Sequence, residues 1–115
     1  MTPPDRRDTL EDLIRLRKPI DDAIQAVREL PWDSEAELVT LTRDEARRLL
    51  DSFTSGVVTA NACGAWANAI EVRDDIGLEE GAEDVLKDFL FELATPEITR
   101  ALTRETAEEW RHRLQ

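Results

Sequence analysis

TANACGAWANAIEVRDDIGLEEGAEDVLKDFLFELAT, residues 59–95, decides the fold of this 115-residue chain. Thr59 stands where a helix N-cap is wanted. Cys63, Trp66, Ala69, Ile70 and Arg73 then share one side at helical spacing. Gly77 ends that unit and Gly81 precedes the next, over residues 82–94. There Ala82, Val85, Leu86, Phe89, Leu90 and Leu93 fall on one broad arc at about 100° per residue. The stretch predicts two helices joined by a Gly-containing turn. Gly64, inside the first of them, costs about 1 kcal/mol relative to Ala. Close approach of a neighbouring helix over this alanine-rich surface is the expected compensation.

The same stretch holds most of the charge. Between Ile70 and Glu92, nine carboxylates (Glu71, Asp74, Asp75, Glu79, Glu80, Glu83, Asp84, Asp88 and Glu92) face only Arg73 and Lys87, and account for seven of the chain's eleven net negative charges. Glu80, Asp84, Asp88 and Glu92 form an i, i+4 column on the side away from the apolar arc. Like charges at that spacing each destabilise a helix by about 0.2–0.5 kcal/mol, and only Lys87, four residues after Glu83, offsets them. Phe91 projects among these acids. Two readings follow: a solvated face with Phe91 packed under a neighbouring segment, or a surface on which an aromatic anchor ringed by carboxylates meets a cationic partner. The residues assigned to such a surface are Glu80, Asp84, Asp88, Phe91 and Glu92, with Glu71, Asp74 and Asp75 beside them.

Upstream, Thr42 and Glu45 make a capping box before Ala46, Leu49, Leu50 and Phe53, and Gly56 suits a left-handed C-terminal position. Residues 37–41 (ELVTL) have strand composition, but the only nearby partner is Val57 with Val58. A lone hairpin is marginal, so no strand is expected. Residues 31–34 form a connector. Before it, apolar residues from Leu10 to Val27 keep helical spacing, interrupted by Pro19, which lacks an amide proton. Asp21 and Asp22 follow, where carboxylates favour a helix start. The segment is either a kinked helix or two helices meeting at Lys18 and Pro19, begun by a loose capping box of Asp8 and Glu11. Residues 1–7 are expected to be a flexible tail.

Downstream, Thr95 and Pro96 begin a turn or short helix reaching Leu102. Thr103 caps a last helix with Ala107, Trp110 and Leu114 on one face. The sum is one all-α domain over residues 8–115, a bundle of five or six helices.

The balance of 26 acidic to 15 basic residues excludes a cationic face for nucleic acid or an anionic membrane and favours a basic protein partner. Cys63 is the only cysteine, so neither an intrachain disulfide nor a thiolate cluster forms within the chain. The N-terminal residues lack a signal-like apolar run and no stretch is long enough to span a bilayer, so a soluble cytoplasmic protein is expected. Glu71-x-x-Asp74 and Glu80-x-x-Glu83 resemble the carboxylate pairs of magnesium-dependent, all-helical nucleotide pyrophosphohydrolases. Their order is reversed and no phosphate-binding basic run accompanies them. Residues 74–80 lack the alternating ligand spacing of a calcium loop. Cys63, beside Trp66 on a helix face, reads as a buried inert thiol. No catalytic residue, metal ligand or cofactor is assigned. A magnesium-dependent hydrolase and a homo-oligomerising domain stand as alternatives to the binding module, and the sequence leaves the oligomeric state open.

WANAIEVRDDI (residues 66–76), with FELATP (residues 91–96), resembles segments of small bacterial all-helical proteins, a likeness covering the second half of the chain. Some small acidic proteins of that kind are toxin-immunity proteins. The resemblance therefore implies a non-enzymatic inhibitor of a cationic toxin. It makes Glu71, Arg73, Asp74 and Asp75 the shared polar positions. The structural alternative has Arg73 pairing nearby carboxylates to fix the turn at Gly77.

Overall fold

The computed structural model describes residues 6–115. Within them Pro19 separates two helices, α1 (Arg6–Ile14) and α2 (Ile20–Arg28). The chain leaves α1 through Leu16 at φ +56°. The Arg17 amide bonds back to the Asp12 carbonyl at 3.1 Å and the Leu16 amide to Leu13 at 3.4 Å, the Schellman closure. A leucine in the left-handed region costs about 1 kcal/mol, offset in part by packing of its side chain on the core. Helix α1 starts two residues before the expected Asp8 cap. Arg6 is anchored there by hydrogen bonds to Asp75, Pro31 and Asp33. The rest of the expected tail, residues 1–5, lies outside the described residues.

The next unit overturns one expectation. Residues within ELVTL do form a strand, β1 (Val39–Leu41), followed by α3 (Arg43–Thr54) and α4 (Ala60–Glu71). Its partner is neither Val57 nor Val58 but β2 (Ile76–Leu78), taken from the sequence for an interhelical turn. The two strands are parallel, with Val39 opposite Ile76, Thr40 opposite Gly77 and Leu41 opposite Leu78. A parallel pair needs a long crossover, and α3 and α4 supply it. Local periodicity has no view of such a partner. Val39 and Leu41 are buried while Thr40 faces out, the alternation of a half-buried strand. Gly77 sits inside β2, where a Cβ would run into the Glu37 carboxylate.

Helix α5 (Glu83–Ala94) packs along α4, and α6 (Arg104–Arg113) closes the chain. The contact of α4 with α5 explains Gly64, since a Cβ there would lie 2.9 Å from the Leu93 carbonyl oxygen. Thr42, Thr59 and Thr103 each accept an amide proton from the first turn of the helix they cap. Thr95 to Thr99 make a turn, with the Ile98 and Thr99 amides bonding to the Thr95 carbonyl. Trp66 is fully buried, and its Nε1 donates to the Leu13 carbonyl at 2.9 Å, tying α4 to α1. Phe89 meets Trp110 edge to face at 5.3 Å. The radius of gyration is 13.6 Å, close to the ~13 Å of a compact chain this long. The protein is thus one mostly helical globule with six helices among the described residues.

The turn from α4 into β2 is held by a buried ion pair. Arg73 Nε and Nη2 donate to Asp75 Oδ1 and Oδ2, both at 2.9 Å. Arg73 also donates to the carbonyls of Val27 and Pro31. Arg6 Nε adds a third bond to Asp75 Oδ2 at 2.9 Å. Burial pushes the Asp75 carboxyl up, but hydrogen bonds from Arg73 and Arg6 with their charges outweigh it and hold the group below its usual range. One cluster therefore joins α1, the connector after α2, and β2.

Candidate functional site

Helix α5 sets out the acidic edge. Leu86, Phe89, Leu90 and Leu93 turn into the core. That leaves Asp84, Asp88 and Phe91 on the outer side at about 100° per residue, with Glu80 just before the helix. Phe91 is 46% exposed, so about half of its surface stays open to solvent. Glu80, Asp84 and Asp88 are exposed too.

The edge divides electrostatically along its length. Toward the C-terminus of α5 the protein's own cations occupy it. Arg100 Nε donates to both Glu92 oxygens at 3.1 Å, and Trp110 Nε1 donates to Glu92 Oε2 at 2.6 Å. Arg100 also reaches Glu109. Asp88 lies 3.6 Å from Arg113, whose guanidinium stacks 4.1 Å over the Trp110 ring. Toward the N-terminus, no basic side chain of the described residues ion-pairs with Glu80, Glu83 or Asp84. Glu83 and Asp84 occupy the first turn. The helix dipole there returns about 0.3–1 kcal/mol per carboxylate, comparable to the i, i+4 repulsion. These acids are therefore tolerated without a cationic partner, and Glu83 also accepts from the Gly81 amide at 2.8 Å.

Glu71 and Asp74, at the end of α4, are exposed and likewise unpaired among the described residues. Partial burial raises the Glu71 carboxyl. Glu71, Lys87, Gly77 and Glu37 line a shallow recess beside β2. Two of the assigned residues sit elsewhere than expected. Asp75 is fully buried in the Arg73 and Arg6 cluster and presents nothing outward. Glu92 is half-buried and its carboxylate is spent on Arg100 and Trp110. The surface that remains is Phe91 with Glu80, Asp84 and Asp88; Glu71 meets α5 at Lys87 across the recess, whereas the Asp74 amide is bonded to the Trp32 carbonyl.

The carboxylate pairs do not converge. Among the described residues no three His, Cys, Asp or Glu side chains come together as metal ligands, so the hydrolase alternative has no assembled centre. Burial pushes the Cys63 thiol up to about 12, the opposite of what a nucleophile needs. A cleft of about 630 Å³ lies between the α1–α2 turn and the start of α4, lined by Leu16, Pro19, Ile20, Val57, Val58 and Ala62. Arg17 and Lys18 stand at its rim, but both are ion-paired to Glu11 or Asp12. No periodic pattern marks it, since Val57 and Val58 come from a loop and Leu16 from a turn. An apolar surface at Trp32 and Val72, 62% and 58% exposed, was also missed.

No helix among the described residues is long and apolar enough to cross a membrane. Fold and surface define the class: a small acidic helical protein whose outward chemistry is carboxylate and aromatic. No protein-family profile, curated protein or solved structure matches the chain.

Proposed function

We propose that this protein is a non-enzymatic binding module for a cationic protein partner, of the immunity type that neutralises a basic toxin. Its contact surface is Phe91 with Glu80, Asp84 and Asp88, and Glu71 and Asp74 at the margin. The observation that carries this reading is an aromatic ring left open to solvent among carboxylates, most of which the chain's own cations leave unpaired. A half-exposed Phe is the residue type that supplies affinity once covered, whereas exposed acids around it act mainly on the association rate. Asp88 contributes less than Asp84, because a partner must first displace Arg113.

Two variants separate these roles. Phe91→Ala should weaken partner capture at least about tenfold through faster dissociation. Asp84→Lys with Asp88→Lys should slow association and flatten its salt dependence. Circular dichroism should stay near wild type, and the melting temperature should fall only slightly, through the half-covered Phe91 ring, the first-turn charge at Asp84 and the Asp88 pair with Arg113. Affinity capture with the wild-type chain, followed by binding kinetics on the recovered protein, is the measurement. Recovery of no basic protein, or unchanged kinetics in both variants, removes this function.

A further inference from the structure

In a chain where 41 of 115 residues are charged, α4 carries no charged side chain from Ala60 to Ile70. The residues it exposes over that span are Ala60, Asn61, Ala65 and Asn68. A trough follows this face. At the C-terminal end of α4 its walls are Leu30, Trp32 and Val72, with Arg28 on the rim. At the other end they are Leu93, Ala94 and Pro96, with Glu97 on the rim. Ala65 and Asn68 belong to both ends, so the trough is continuous.

We propose that this trough is the contact between two copies of the chain, packed antiparallel about a two-fold axis near Ala65 and Asn68. Such an axis brings the Arg28 end of one copy opposite the Glu97 end of the other, giving two equivalent ion pairs at the rim. Trp32 and Val72 then cover Ala94 and Pro96 of the second copy. Alanines at the centre let the two backbones approach closely, and the Asn61 and Asn68 amides offer donors and acceptors across the axis. Depletion of charge at the centre is how interface cores differ from free surface. A cationic protein finds no carboxylate in the middle of this face, which is why the occupant is a second copy. The proposal stands apart from the acidic edge on α5 and does not depend on it.

Each copy carries a net charge of −11, so long-range repulsion opposes the dimer at low salt and is screened beyond about 8–10 Å at physiological salt. Dimerisation should therefore tighten as salt is added, whereas capture of a cationic partner should weaken. Sedimentation equilibrium of the full chain at low and physiological salt reads this directly. Ala65→Arg, at the centre of the trough, should give a folded monomer with an unchanged circular dichroism spectrum and a melting temperature that no longer depends on protein concentration. Arg28→Glu and Glu97→Arg should each lower the dimerisation constant by ~10-fold, since each turns two attractions into repulsions. The double variant should restore it. Three results each overturn the proposal: a wild-type monomer at every concentration and salt, a dimer that survives Ala65→Arg, or a folded double variant that fails to recover dimerisation.

Discussion

Asp75→Asn removes one charge from the centre of the fold and adds no bulk. Asp75 Oδ1 accepts from Arg73 Nε, and Oδ2 accepts from both Arg73 Nη2 and Arg6 Nε. An amide in that place has one oxygen. Its better orientation keeps the oxygen at the Oδ2 position, preserving two bonds in weaker, neutral-acceptor form, and sets the NH2 group against Arg73 Nε, donor against donor. The Arg73 guanidinium, buried beneath α2 and the connector, then lacks a counter-charge. Breaking a buried pair from one side costs about 3–5 kcal/mol, out of a total of roughly 5–15 kcal/mol for a domain. The melting temperature should fall by roughly 10–20 °C.

Urea unfolding followed by the fluorescence of buried Trp66 and Trp110 measures this loss at neutral pH. Acidification supplies a second reading. The folded-state pKa of Asp75 lies below its ordinary value, so its stabilisation is complete above the unfolded value of about 3.9. It is lost as pH falls through the lower, folded value. The variant has no such titration, so the gap between the two proteins should close in acid. A neutral-pH difference under ~1 kcal/mol, or a gap indifferent to acid, would refute the assignment of this cluster as the clasp of the fold.

Two further perturbations bear on the packing. Gly64→Ala gains about 1 kcal/mol of helix propensity but places a methyl 2.9 Å from the Leu93 carbonyl oxygen. Forcing α4 and α5 apart should cost about 1–3 kcal/mol net, and a thermal melt showing stabilisation would contradict the close contact. Cys63, with its thiol raised to about 12 and buried, should react with aromatic disulfide reagents only as fast as the protein opens. Labelling in native buffer at the rate of free cysteine would show the thiol to be accessible.

What was legible in the sequence was local. Thr42, Thr59 and Thr103 cap helices because the bond they make closes within three residues, and Pro19 breaks a helix for an equally local reason. Phe91 lies opposite the apolar arc of its own helix, so its outward position follows from angle alone. The misses come from partners far along the chain. β1 pairs with β2 across two intervening helices, and no window of residues holds both. The pairing of Arg73 with a nearby carboxylate was legible, and it is Asp75 that Arg73 holds; the burial of that pair was not, because Arg6 comes from 69 residues away. A faint clue existed: Arg73 and Asp75 alternate, so an extended backbone puts both on the side opposite Asp74. Glu92 is neutralised by Arg100 only because the turn after Thr95 folds back.

The pairing of Thr40 with Gly77 also imposes an order of events. Two three-residue strands offer few ladder bonds, and joining them closes a loop containing α3 and α4 whole. That entropic toll is met only after those helices have docked. The strand pair is therefore expected to zip late, on the native side of the folding barrier. Thr40→Gly should then quicken unfolding and leave the refolding rate nearly untouched. Stopped-flow traces in which refolding slows instead would place this small sheet in the nucleus.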